Sequence, residues 1–143
     1  MFLVDANVLL YAVNEDAPHH AEARTWLDAA LVGPEEVGFD ALVTLAFLRI
    51  TTRREIFPRP LSLDEACSVL AAWRSGAASL AVGPGPGHGE RLCALLARTG
   101  TAGNLTNDAH LAALALAYGA TVVTFDRDFA RFPGVRVHLL GAG

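Results

Sequence analysis

Thr121-Val122-Val123-Thr124-Phe125-Asp126-Arg127-Asp128 is the stretch that decides the fold. Its β-branched and apolar start suits a buried strand, and two aspartates follow at once. Before it lies an alanine-rich helical segment, Ala109 to Tyr118, closed by Gly119. The chain opens in the same way, because the apolar run Phe2-Leu3-Val4 ends in Asp5. Strands separated by helical segments specify an α/β fold with a mostly parallel central sheet. In such sheets ligands bind in the crevice at the carboxyl ends of the strands. Asp5, Asp126 and Asp128 at strand ends, with Asp108 at a helix start, are therefore placed to converge.

Between these ends the punctuation is regular. Asn7 is suited to cap a helix through Val13, which leaves Asp5 free. Pro18 to Val32 reads as a helix stopped by Gly33-Pro34, with His19-His20 as its solvated start. Asp40 is well placed to cap a helix from Ala41 to about Thr52. Ser62-Leu63-Asp64-Glu65 is a capping box opening a helix to about Arg74. Ser79 to Val82 is a short strand candidate, and Gly83-Pro84-Gly85-Pro86-Gly87 is a loop. A helix from His88 to about Arg98 follows, then a polar loop from Thr101 to Asn107. Asn107 or Asp108 caps the next helix, and Val135 to Leu139 alternates as an edge strand. There are no internal repeats, and residues 1–143 read as one domain, a size able to bury a core.

Composition narrows the function classes. The chain is 52% hydrophobic and 18% charged, with a formal net charge of −4. That balance excludes a disordered chain and argues against a strongly basic nucleic-acid-coating surface. It leaves room for a nuclease with a local arginine patch and a metal. There is no lysine, so a P-loop is ruled out. The glycine-proline loop lacks the strand–turn–helix setting of a dinucleotide fingerprint, and no Ser-His-Asp arrangement stands out. Cys67 and Cys93 lack metal spacing and read as buried free thiols. Apolar runs are too short or interrupted to span a membrane, and the start lacks the pattern of a signal peptide, so a cytoplasmic protein is expected.

Each aspartate has a plain structural use as a helix cap or solvated turn. Their joint placement is what points to chemistry. Carboxylates crowded at neutral pH repel, and a divalent cation relieves the repulsion. Hard oxygen ligands favour Mg²⁺ or Mn²⁺ over zinc. His110, two residues after Asp108, falls on a different face of its helix and is not expected as a co-ligand; His88 stays unassigned.

Three motifs in order carry a family resemblance: Asp5-Ala6-Asn7-Val8-Leu9-Leu10-Tyr11, Asn107-Asp108-Ala109-His110-Leu111-Ala112-Ala113-Leu114-Ala115, and Thr124-Phe125-Asp126-Arg127-Asp128-Phe129. Together they resemble PIN-domain ribonucleases, and among them the VapC toxins of bacterial toxin–antitoxin pairs. Phe47-Leu48-Arg49-Ile50 with Ile56-Phe57, and the stretch Pro86 to Gly89, are similar to one branch of that family. The resemblance implies a three-layer α/β/α fold and a Mg²⁺- or Mn²⁺-dependent endoribonuclease. It implies that Asp5, Asp108 and Asp126 are the core metal-binding acids, that Asp128 is a further acid, and that Asn7 orients Asp5. It also implies a homodimer inhibited by a VapB-like antitoxin.

One departure stands out. Many members carry a glutamate on the third helix, whose place here is Ala46; Asp40 is the candidate substitute acid. Arg49, Arg53, Arg54 and Arg59 are candidates to bind an RNA backbone, against an equal reading as a solvated helix end. Single-stranded or loop RNA is the expected target, since exposed bases can be read there. Two rivals remain open. One is an impaired module that grips RNA or a partner without cutting, motivated by Ala46. The other is a phosphatase, disfavoured because Asn7 stands where an aspartyl-nucleophile motif has its second aspartate.

Overall fold

The three central strands each have an aspartate at or just beyond the carboxyl end. In the computed structural model, which describes residues 1–141, Phe2–Val4 is strand β1, Val37–Asp40 is β2 and Thr121–Thr124 is β4. Ser79–Val82 (β3) and Arg136–Leu139 (β5) complete the sheet, whose order is β3-β2-β1-β4-β5 with parallel pairing throughout. The last two positions assigned to the domain lie outside the described residues. Helices α1 (Ala6–Val13), α2 (His20–Leu31), α3 (Ala41–Thr51) and α4 (Leu63–Arg74) pack on one another along one side. Helices α5 (His88–Thr99) and α6 (Thr106–Tyr118) pair on the other, which gives the three-layer α/β/α arrangement. The chain leaves β1 toward β2, and β4 later returns on the opposite flank of β1. The carboxyl ends of β1 and β4 thus form the switch point where a parallel sheet opens a crevice.

The core follows from the same pattern. Leu3, Val4, Val122 and Val123 are fully buried on the two central strands, and Ala109, Ala112, Ala113 and Leu114 bury α6 against the sheet. Each fully buried large aliphatic chain stabilises by about 1.5–3 kcal/mol relative to exposure. Small residues let α6 lie close, and Gly119, at φ +61, ends it in the left-handed conformation that its sequence position predicts.

Several local expectations are corrected. β2 was not legible, because Val37-Gly38-Phe39-Asp40 contains a glycine; there the Leu3 side chain fills the space a Cβ would take, 2.5 Å from its ideal position. Helix α2 starts at His20 rather than Pro18, and its start is not simply solvated. The His19 ring lies 4.7 Å from Phe125 and 5.5 Å from Tyr11, and His20 Nδ1 is 2.8 Å from the Tyr11 carbonyl oxygen. Cys67 and Cys93 are exposed, not buried, because α4 and α5 turn those positions outward. Among the described residues no helix is long and apolar enough to cross a membrane.

Candidate active site

Asp5 is positioned by the strand end and by the helix it starts. It is Asp5, not Asn7, that caps α1, with Oδ1 accepting from the Ala6 backbone N–H at 2.6 Å. Its other oxygen, Oδ2, accepts from Thr124 Oγ1 at 2.6 Å and from Asn7 Nδ2 at 2.8 Å. Asn7 is thereby free to act as a clamp: its Nδ2 also reaches Thr124 Oγ1 at 2.9 Å, and its Oδ1 accepts from the Phe125 backbone N–H at 3.2 Å. The Asp126 N–H donates back to Thr124 Oγ1 at 2.9 Å. Asp126 in turn accepts from the Asp128 N–H at 2.8 Å and caps the 3₁₀ turn Arg127–Arg131. The ends of β1 and β4 are therefore one polar network centred on the buried Thr124.

Asp108 enters from a third element. Helix α6 begins at Thr106, so Asp108 sits in its first turn and caps nothing, contrary to the expectation that Asn107 or Asp108 is the cap; the capping position is Leu105, which offers no side-chain hydrogen bond. Asp5, Asn7, Asp108 and Asp126 line one pocket of about 270 Å³, whose other wall is apolar: Leu10, Leu42, Ala46 and Ile50.

The electrostatics record the crowding. Burial, together with the charges of Asp5, Asp126 and Asp128, pushes the Asp108 carboxyl up to about 7. Burial also raises Asp5, opposed by the hydrogen bonds from Thr124, Ala6 and Asn7. Among the described residues the Asp108 carboxylate accepts no hydrogen bond, unlike Asp5. Among the same residues no group of three or more His, Cys, Asp and Glu side chains is placed to hold a metal ion. The donor set facing the pocket is nonetheless carboxylate oxygen from three separate elements, which is the chemistry a hard divalent cation takes.

The residues offered from sequence separate clearly. Asp5, Asp108 and Asp126 share the pocket, whereas Asp128 is exposed, does not line it, and acts on Asp108 through charge. Asp40 does not face the pocket. It is 1% exposed, caps α3 through the Leu42 N–H at 2.8 Å, and turns Oδ2 to His110 Nε2 at 2.9 Å. Burial alone would raise its pKa, but the His110 and backbone hydrogen bonds outweigh burial and hold it below the usual carboxylate value. Its carboxylate is thus committed elsewhere, while Ala46 lines the pocket without a charge. Arg49 lines the pocket; Arg53 pairs with Glu55 at 3.6 Å, and Arg59 with Asp16 at 3.0 Å. Arg54 is exposed and outside the pocket.

Residues 2–135 match the PIN domain. The chain belongs to the PIN-domain family. Among curated PIN relatives it is 47% identical to Ribonuclease VapC37 of Mycobacterium tuberculosis over 136 residues, 95% of this chain and 94% of that one. It is 41% identical to Ribonuclease VapC31 of the same organism, over 95% of this chain and 96% of that one. Two solved structures share the fold. The sarcin–ricin-loop-cleaving toxin VapC20 of M. tuberculosis superposes with a TM-score of 0.69 at 20% identity, covering 95% of this chain and 99% of that one. VapBC2 of Rickettsia felis, bound to a promoter DNA fragment, does so with a TM-score of 0.69 at 18% identity, covering 96% and 97%.

Two features of this PIN domain were missed in the sequence. Thr124 was quoted as the start of the third motif but given no role, though a hydroxyl two residues before Asp126 was a usable signal. His110 was set aside as facing elsewhere, yet it lines the same pocket as Asp108. Its partner Asp40 lies 70 residues away, a pairing no local pattern reveals.

Proposed function

We propose that this chain is a metal-dependent endoribonuclease, the toxin component of a type II toxin–antitoxin pair. The observation that carries the chemistry is the convergence of Asp5, Asp108 and Asp126 on one pocket, where burial and then the neighbouring acids push the Asp108 carboxyl up to about 7. The VapC ribonuclease names of the relatives support the same reading.

In this reading Asp5, Asp108 and Asp126 hold Mg²⁺ or Mn²⁺. When bound, such a cation supplies Lewis acidity toward water and toward the scissile phosphate. Thr124 and Asn7 hold the Asp5 carboxylate in one orientation. Asp128 adds negative charge near Asp108 that favours cation entry. Arg49 contacts the phosphodiester backbone electrostatically beside the acids. The apolar wall of Leu10, Leu42 and Ile50 limits water around the reacting phosphate. Single-stranded or loop RNA is the proposed substrate.

The test is incubation of a structured-RNA pool with purified protein in Mg²⁺, in Mn²⁺ and in EDTA, with sequencing of the product ends. Discrete new ends that need metal are expected. Intact RNA in every metal would favour the second reading, a PIN-like module that binds RNA or a partner without cutting. The specific observation behind that reading is Ala46 in the pocket wall.

The proposed partners are a VapB-like antitoxin and a second copy of the chain. The antitoxin is expected to cover the acidic pocket, presenting an arginine or lysine to it. Co-expression with a VapB-like antitoxin tests this, with a stable, inactive complex expected. Light scattering of the isolated toxin is expected to give twice the chain mass.

A further inference from the structure

Behind the acidic pocket runs a string of polar side chains that the proposed chemistry does not use. Asp40 Oδ2 is 2.9 Å from His110 Nε2, and His110 Nδ1 is 2.9 Å from His88 Nε2. Asp40 ends β2 and begins α3, His110 lies on α6, and His88 is the first residue of α5. The string therefore joins the carboxyl end of the sheet to three helices. Both ring nitrogens of His110 are engaged, so His110 has no free nitrogen to offer a substrate or a cation.

We infer that His110 is a positioning residue for Asp108: tied to Asp40 on one side and His88 on the other, it fixes the first turn of α6 against α3 and α5. The inference rests on the metal-site reading above. Three observations carry it. Asp108 lies two residues before His110 on α6, and both line the pocket. The start of α6 has no side-chain cap, and the Asp108 carboxylate takes no hydrogen bond among the described residues, so nothing local orients it. Helices α3 and α6 make few direct backbone contacts, and the Asp40–His110 bond ties the cap of α3 to α6.

With Ala46 in place of an acid, fewer carboxylates remain to hold a cation, and the placement of each weighs more. Groups that orient ligands in this way typically change metal affinity by about 10–100-fold when removed.

The experiment measures Mn²⁺ binding by electron paramagnetic resonance of the free ion, alongside RNA cleavage and thermal melting, for the wild type and for His110→Phe, His110→Gln and His88→Ala. His110→Phe keeps a ring but loses both hydrogen bonds. It is expected to weaken Mn²⁺ binding about tenfold and to lower kcat, with KM for RNA held within about twofold. His110→Gln, whose amide N–H can donate to Asp40, is expected to recover most of the loss. If His110→Phe does not fold, His88→Ala carries the test, with a smaller loss of the same sign. Variants that bind Mn²⁺ as the wild type does, and only melt lower, would overturn the inference while leaving the metal site standing. A wild type that takes up no Mn²⁺ would overturn the metal-site reading, and this inference with it.

Discussion

Thr124 Oγ1 donates to Asp5 Oδ2 at 2.6 Å, joining residues 119 positions apart at the ends of two neighbouring parallel strands. Thr124 is fully buried and also receives Asn7 Nδ2 and the Asp126 N–H. One hydroxyl thus sets the relative positions of two acids and their clamp. Thr124→Val keeps the shape and removes every polar contact. It is expected to cost about 1–3 kcal/mol of stability, raise the Asp5 pKa further and slow cleavage. Denaturant unfolding and single-turnover kinetics measure both; an unchanged rate would show that Asp5 needs no such support.

The pH dependence follows from Asp108. Its folded pKa, about 7, stands above the ordinary value of 3.8. The stability contributed by its protonated form is complete below about 3.8 and is lost as pH rises through about 7. A cation competes with that proton. The gain in melting temperature on adding Mn²⁺ is therefore expected to be small well below pH 7 and to level off above it. Melting curves with and without Mn²⁺ across this range check the sign, and a gain independent of pH would contradict it.

Ala46 lines the pocket on α3 without contributing a charge. Ala46→Glu adds a carboxylate to the donor set. Because affinity follows ligand charge, Mn²⁺ is expected to bind roughly tenfold more tightly. The metal-free variant is expected to melt lower through added repulsion. Calorimetric titration measures the first effect and thermal unfolding the second. Unchanged binding would mean that position 46 does not reach the cation.

Two arginines that look alike in sequence are expected to behave differently. Arg49 faces the acids, whereas Arg59 is paired with Glu15 and Asp16 on the surface. Arg49→Ala is expected to raise KM for RNA and to reduce the salt dependence of binding by about one unit of slope. Arg59→Ala is expected to do neither, and to change stability by less than about 1 kcal/mol. Binding isotherms at several salt concentrations separate them.

What the sequence disclosed had local causes. The strand Thr121–Thr124 is β-branched and bounded by Gly119 and Asp126, so its type and its acidic end were readable together. The capping box of Ser62 and Glu65 is closed within four residues, and both of its hydrogen bonds form. What stayed hidden depended on distant parts of the chain. Val37–Asp40 becomes a strand because β1 and β3 flank it, not because of its own propensity. Asp5 takes the cap of α1 because the end of β1 delivers it there, which releases Asn7 to bridge to Phe125. His110 looked misdirected on a helical wheel, but a pocket that wraps around the first turn of a helix can border two of its faces. Asp40 seemed free to replace the missing acid until His110 was seen to hold it.

In the proposed function, the cluster of Asp5, Asp108 and Asp126 cuts RNA. The most direct measurement is single-turnover cleavage of one RNA, at saturating Mg²⁺ or Mn²⁺, by the wild type and by Asp108→Asn. The account predicts a loss of about a hundredfold or more, with the variant folded and melting higher than the wild type in EDTA because a repelling charge is gone. Equal rates, or cleavage by the wild type that persists in EDTA, would contradict it.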